Sequence, residues 1–200
     1  MAISFQYNKT SLQQLRKQLA VRVRALPTLK NKESALRVEV KKAKDTMQEL
    51  NTKLKAEMER YDDMVRIWGE FDKTLIEIED VKLSVKKIAG VKTPILEDIV
   101  FNIKEFSVFS NPKWYLDGIN ILKSLSQIGI EREFFSRKME LLDYARKKTT
   151  QKVNLYEKVQ IPGYEDAILK IKRFLEDEEN LSKSSQKIVK NRQQQQEVAL

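Results

Sequence analysis

The chain has 200 residues, 34% of them charged and 41% hydrophobic, with only 5 Gly and 4 Pro. That apolar share is thin for a compact core of this length but enough for the narrow seam of long paired helices, and so few breakers argue against a chain of many strands. Cys and His are both 0, which excludes disulfides, thiolate metal sites, a Cys nucleophile and His-based acid–base chemistry and predicts a chain that is not an enzyme by itself.

The net charge of +9 favours acidic partners: nucleic acid, an anionic membrane or an acidic protein surface. At the start, Met1-Ala2-Ile3-Ser4-Phe5 has no basic region followed by an apolar stretch, and no run approaches the ~18 apolar residues of a membrane span. A soluble, intracellular protein is expected.

From residue 12 to 85 the sequence keeps a heptad repeat. Its a positions include Leu12, Leu19, Leu26, Val40, Met47, Leu54, Tyr61, Trp68 and Leu75, with Glu33 and Lys82 as exceptions. Its d positions include Leu15, Leu29, Leu36, Ala43, Leu50, Met64, Phe71, Ile78 and Val85, with Arg22 and Glu57 as exceptions. A phase held this long predicts a coiled-coil helix over 8–88. Pro27 interrupts it, so the helix either starts afresh there or bends.

The texture changes over 89–118, which holds Gly90, Pro94, Pro112 and Gly118. Ile99, Phe101 and Ile103 alternate with Val100, Asn102 and Lys104, and Phe106 and Val108 continue the period of two. The segment reads as a strand or hairpin turning at Lys104-Glu105, or as an irregular apolar loop.

A second long helix is predicted over 119–192, with Ile121, Leu125, Ile128, Phe135, Met139, Leu142, Val153 and Tyr156 on its seam and Arg132, Arg146, Thr149 and Gln160 as polar exceptions. After Pro162 the pattern resumes at Tyr164, Ile168, Ile171 and Leu175, and the Gln193–Gln196 run predicts a frayed tail over 193–200.

Two long helices joined by a short insert fold back most simply as an antiparallel hairpin, which makes 1–200 one elongated domain: all-α, with a mid-chain β-hairpin or irregular insert. Charge suggests the register. The acidic stretch 61–80 is set against 125–144, with Arg132, Arg137 and Lys138, and Glu176, Asp177, Glu178 and Glu179 against Arg24, Lys30 and Lys32.

No phosphate-binding loop and no dinucleotide fingerprint occurs. Basic runs at Lys41, Lys42 and Lys44 and at Arg146, Lys147 and Lys148 lack interleaved aromatics, which speaks against nucleic acid. Consecutive carboxylates Glu176 to Glu179 point to different helix faces and read as a solvated surface rather than a metal site.

Several segments resemble the D subunit of the V-type (vacuolar and archaeal-type) ATPases, their central rotor axle. Leu29-Lys30-Asn31-Lys32-Glu33 with Leu36 is similar to the family's LLKxKRxxL. Ile88-Ala89-Gly90-Val91-Lys92-Thr93-Pro94 resembles its NIxGVxxP. Lys152-Val153-Asn154-Leu155-Tyr156-Glu157 followed by Ile161-Pro162 resembles RRVNALE…IP. Ile168, Ile171 and Leu175 to Glu179 resemble TIxxIxxxLxExERE. Lys152 stands where the family prefers Arg, Asn180 replaces a closing basic residue, and Pro27 falls where members often carry Gly or His.

The resemblance implies a noncatalytic rotor shaft that needs no cofactor. Both termini would lie inside the ring of nucleotide-binding A and B subunits, which faces the basic residues Lys9, Arg16, Lys17, Arg22, Arg24, Lys30 and Lys32. The insert would project nearer the membrane, and Val100, Phe101, Phe106, Val108 and Phe109 would supply its contacts. Further partners would be the small F subunit of the rotor and the socket subunit of the membrane sector, with no nucleic acid and no membrane insertion. The complex would sit on the cytoplasmic face of a membrane and couple ATP hydrolysis or synthesis to proton or sodium translocation. The other reading of the same heptads is a coiled-coil scaffold or tether.

Overall fold

The computed structural model describes residues 3–61, 68–105 and 112–198. Its elements are α1 (Lys9–Arg60), a 3-10 turn (Lys73–Leu75), β1 (Ile76–Ile88), β2 (Val91–Ile103), α2 (Tyr115–Leu155), a π-helical segment (Tyr156–Gln160) and α3 (Ile161–Val198). The architecture is a helical hairpin carrying a two-stranded antiparallel insert. The chain forms two compact units: Met1–Asn31 with Thr149–Leu200, and Lys32–Lys148.

In the first unit α1 begins at a side-chain cap. Asn8 Oδ1 accepts the Ser11 amide at 2.6 Å, satisfying one of the donors that a helix start leaves open. Leu15, Tyr164, Ala167, Ile168 and Ile171 form the buried cluster, with Leu12, Leu19 and Leu175 packed against it. The arm before α1 joins them through Ile3 and Phe5. Gly163 makes room for that arm, because a Cβ there would stand 3.2 Å from Ile3 Cδ1. The heptads do not show this arm, since residues 3–7 precede the repeat.

Pro27 lies inside α1, which runs through it without a break. Pro27 and Val23, whose carbonyl loses its helical partner, are both exposed, so that oxygen can bond to water. Pro162 likewise does not end the second long helix. The five residues before Ile161 widen into a π turn, in which the Ile161 amide donates to the Tyr156 carbonyl. α3 then stays helical to Val198, past the fray expected from 193.

In the second unit Leu36 and Leu142 are fully buried, and Ala43 and Leu50 continue the α1 stripe at heptad spacing. A second cluster holds Phe71, Leu75, Tyr115 and Ile119 with Trp68, Ile76, Trp114 and Leu122. Tyr115 Oη donates to the Glu70 carbonyl at 2.7 Å, and Gly118 admits the Phe71 and Trp114 rings, both 3.2 Å from where its Cβ would be.

The sequence-based helix bounds are wrong in the middle of the chain. α1 ends at Arg60, not 88, and Ile76 to Ile88 form β1. Leu75, Ile78 and Val85 satisfied the heptad by spacing alone. The β-branched Ile76, Ile78, Val81, Val85 and Ile88 instead suit a half-covered strand, and β2 supplies its partner. The turn is at Ala89-Gly90, not Lys104-Glu105: Ala89 has φ +48° and Gly90 φ +77°, the left-handed pair that joins two right-twisted strands in two residues. The pairing of 61–80 with a helix therefore fails for 76–80, which lie in β1 and pair with β2 at Ile76, Glu77, Ile78 and Asp80. Val100 and Phe101 lie in β2; Phe106, Val108 and Phe109 lie outside the described residues.

Candidate functional site

The terminal coil is held by polar ties across its seam as well as by the Leu15 cluster. Arg22, the heptad exception, donates from Nε to Gln160 Oε1 at 2.7 Å and from a terminal nitrogen to the Gln18 carbonyl at 3.0 Å. Its guanidinium lies 4.5 Å from the centre of the Tyr164 ring. Lys30 Nζ meets Glu157 Oε1 at 2.7 Å, both half exposed. Position numbers rise on α1 as they fall on the partner, so the helices of this coil are antiparallel. The Gln160, Leu155 and Val159 side chains also line a cavity of about 380 Å³ with Leu15, Gln18 and Tyr164.

The charge-based register is displaced. Glu176, Glu178 and Glu179 line one groove with Lys9 and Arg16, not with Arg24, Lys30 and Lys32. Lys183, hydrogen-bonded to Glu179, holds that carboxyl below its ordinary value, and Lys9 adds to the effect. Beyond Ser182, at the edge of that groove, α3 runs on with every side chain through Gln195 exposed. Leu181, Ile188 and Val189 are 69%, 54% and 54% exposed, and a spacing of seven puts the first two on one face.

The residues chosen for their motifs are spread over three places. Glu157, Ile161 and Pro162 lie in and just after the π turn, with Val153 half-buried and Asn154 exposed one turn earlier. Gly90, Val91 and Pro94 lie at the hairpin turn, where Val91 pairs with Ile88 and Pro94 with Val85. Of the seven basic residues, Arg22 and Lys30 are tied into the coil, and Lys9, Arg16, Lys17 and Arg24 are exposed on α1. Lys32 instead belongs to the hairpin's surroundings: its Nζ lies 3.5 Å from where a Cβ on Gly90 would be. At the other end of β2, the Lys123 ammonium of α2 sits 5.6 Å from the Phe101 ring centre. The insert thus lies along its own unit's helices rather than projecting freely from them.

Among the described residues no group of three or more His, Cys, Asp or Glu could hold a metal ion, and no helix is long and apolar enough to cross a membrane. What the arrangement offers is surface: a cross-tied antiparallel coil, an exposed helical extension and a hairpin.

Residues 11–191 match the family of ATP synthase D subunits. The chain belongs to that family. It is 30% identical over 186 residues to the V-type ATP synthase D subunit of Borreliella burgdorferi, covering 92% of each chain. It is 28% identical to the protein of that name from Chlamydia muridarum, over 85% of this chain and 86% of the relative. With that of Chlamydia pneumoniae the identity is 25%, over 88% and 87%. As a member of the D-subunit family, the chain is a component of a V-type ATP synthase complex.

Proposed function

We infer that the chain is the noncatalytic central shaft of that complex and carries torque between the nucleotide-binding ring and the ion-translocating membrane ring. The observation that supports this most is the exposed stretch of α3 from Leu181 onward, with Leu181, Ile188 and Val189 turned to solvent. A helix face of this kind is stable when something surrounds it, and a ring of A and B subunits would do so. The antiparallel ties Arg22–Gln160 and Lys30–Glu157 suit a shaft, because they resist one helix sliding along the other. They count against a tether that dimerises through parallel helices.

In this reading Lys9, Arg16, Lys17 and Arg24 present cations to the ring interior, and the small F subunit and the socket subunit bind the second unit. The complex attaches peripherally, on the cytoplasmic face of its membrane. Whether it makes or consumes ATP, and with protons or sodium, depends on its other subunits.

The test is reconstitution of the full chain with its own ring subunits, with a bead attached to the chain. The bead is expected to turn stepwise relative to an immobilised ring when ATP is supplied, and the chain alone is expected to hydrolyse none. A bead that stays still while the ring hydrolyses ATP would refute the shaft; hydrolysis by the purified chain would refute the noncatalytic assignment.

A further inference from the structure

The segment before α1 lies along α3. Ile3 occupies the notch that Gly163 leaves, its Cδ1 3.2 Å from where a Cβ would stand, and the Tyr7 ring centre lies 4.9 Å from that of Phe174. Phe5, between them, packs on the buried cluster around Leu15 and meets Tyr7 edge-to-face with ring centres 5.4 Å apart. Position numbers rise together, so residues 3–7 run parallel to α3, and α1 then returns antiparallel on the Leu15 side. The lengths agree: four extended steps cover about 13 Å and eleven helical steps about 16 Å, a difference within the reach of the side chains.

Gly163, Ala167, Lys170 and Phe174 form one stripe of α3, each one residue before Tyr164, Ile168, Ile171 and Leu175 on the stripe that faces Leu12, Leu15 and Leu19. Successive residues of a helix are about 100° apart, so α3 is gripped from two sides over three turns. A polar elbow joins the two sides of the grip. The Gln6 amide donates to Ser11 Oγ at 3.3 Å, Asn8 Nδ2 to Gln6 Oε1 at 3.1 Å, and the Ser11 amide to Asn8 Oδ1 at 2.6 Å.

We propose that residues 3–7 are a releasable strap that locks α3 to α1 beyond the π turn, so that the two helices turn as one; its load-bearing role rests on the shaft reading above. The ties of Arg22 and Lys30 reach Gln160 and Glu157, inside the π segment. Beyond Pro162 the seam is built from Leu15, Ile168 and Ile171, and apolar attraction is non-directional, so it resists separation better than sliding or rotation. Ile3 seated at Gly163 supplies the stop that such a seam lacks. The strap is releasable because Ser4, Gln6 and Tyr7 are exposed and Ile3 and Phe5 only half-buried. Their burial is offset by the entropy of ordering five residues, which leaves seated and lifted forms close in free energy. Ile3 and Ser4 also wall the cavity beside Leu15, Gln18 and Tyr164, so lifting the strap admits water to the seam.

The experiment follows amide hydrogen exchange in the full chain. It compares the native chain with Gly163→Val, which fills the notch, and with Ile3→Ser/Phe5→Ser, which strips the strap. Both variants are expected to speed exchange over 164–178 by about tenfold while 36–50 keep the native rate. Tyr7→Cys/Phe174→Cys, joined by a short bifunctional reagent, should have the opposite effect and slow exchange over 164–178. In the reconstituted ring with a bead on the chain, the strap variants should turn a small bead like the native chain and lose torque against a large one, and the cross-linked chain should keep it.

Unchanged exchange in both variants overturns the lock, as does equal acceleration in the two units, which would mark a general loss of stability. Failure of positions 7 and 174 to cross-link overturns the seating of the strap. Faster local exchange with native torque under load overturns its mechanical role. If the native chain does not turn in the ring, the shaft reading falls, and exchange still decides the lock by itself.

Discussion

Arg22 reaches across the terminal coil to Gln160, with 2.7 Å between its Nε and the amide oxygen. The contact puts a cation at a heptad d position, where a leucine would ordinarily pack. It is tolerated because the hydrogen bonds and the faces of the Tyr164 and Tyr156 rings, 4.5 and 6.0 Å away, replace part of the lost hydration. A partnered polar residue at such a position specifies which layers meet, at some cost in stability.

Arg22→Ala is therefore expected to destabilise the chain by about 1–2 kcal/mol through loss of the ring stacking and a charge-assisted bond. A double-mutant cycle with Gln160→Ala in urea unfolding measures the coupling. A coupling indistinguishable from zero would show that the two side chains do not act together.

The register is open to a direct chemical check because the native chain has no Cys. Leu15 and Ile168 share the buried cluster, so cysteines at these positions should cross-link within one chain through a short bifunctional reagent. Cysteines at Ala20 and Ser185, the match that the charge argument suggests, should not. The opposite yields would put the coil back in the charge-based register.

The π turn and Pro162 make a linked prediction. A π turn amounts to one extra residue in an α-helix, so deleting Val159 should restore α geometry and keep Tyr164, Ile168 and Ile171 on their present face. It would also bring the Pro162 ring against the carbonyl four residues earlier, at a cost of about 3 kcal/mol. Deletion alone should lower stability by that order, and Pro162→Ala in the deleted background should recover most of it. Failure of the second change to rescue the first would mean the wide turn does not serve to seat the proline.

At the hairpin turn, Ala89 holds a φ of +48°, which its Cβ disfavours. Ala89→Asn should raise stability by about 0.5–1 kcal/mol, since Asn tolerates the left-handed region, and Gly90→Ala should lower it by about 1 kcal/mol. Thermal melts of both variants provide the comparison.

The pH dependence should be simple. With no His, no side chain has an ordinary pKa between the carboxylates and tyrosine, so stability should be flat from about pH 6 to 9. Asp143 is held below its ordinary value by hydrogen bonds from Lys147 and Arg146, and Asp72 by the Thr74 amide and hydroxyl. Groups lowered on folding stabilise the native state above their unfolded pKa, and that contribution is lost as pH falls through the folded value. Stability should thus decline only in the acid range, and Asp143→Asn should reduce the decline. An unfolding transition near pH 7 would contradict this.

The helical seams are legible in the order of residues. Leu15, Leu36, Ala43 and Leu50 on α1, and Ile168 and Ile171 on α3, are buried at the heptad positions where spacing placed them, because a helix repeat is local and its stripe has to be covered. The motifs of the family are legible too, including the Gly90 that the turn requires. The fate of 76–88 is not, and depends on long-range pairing. Residues such as Leu75, Ile78 and Val85 satisfy a helical spacing, and only pairing with 91–103, which begins after two left-handed residues, favours the extended form. The register of the coil depends on packing in the same way. Exposed charges are screened by solvent and contribute little each, so they do not outvote the packing of Leu15 against Ile168 and Ile171 or the tie between Arg22 and Gln160.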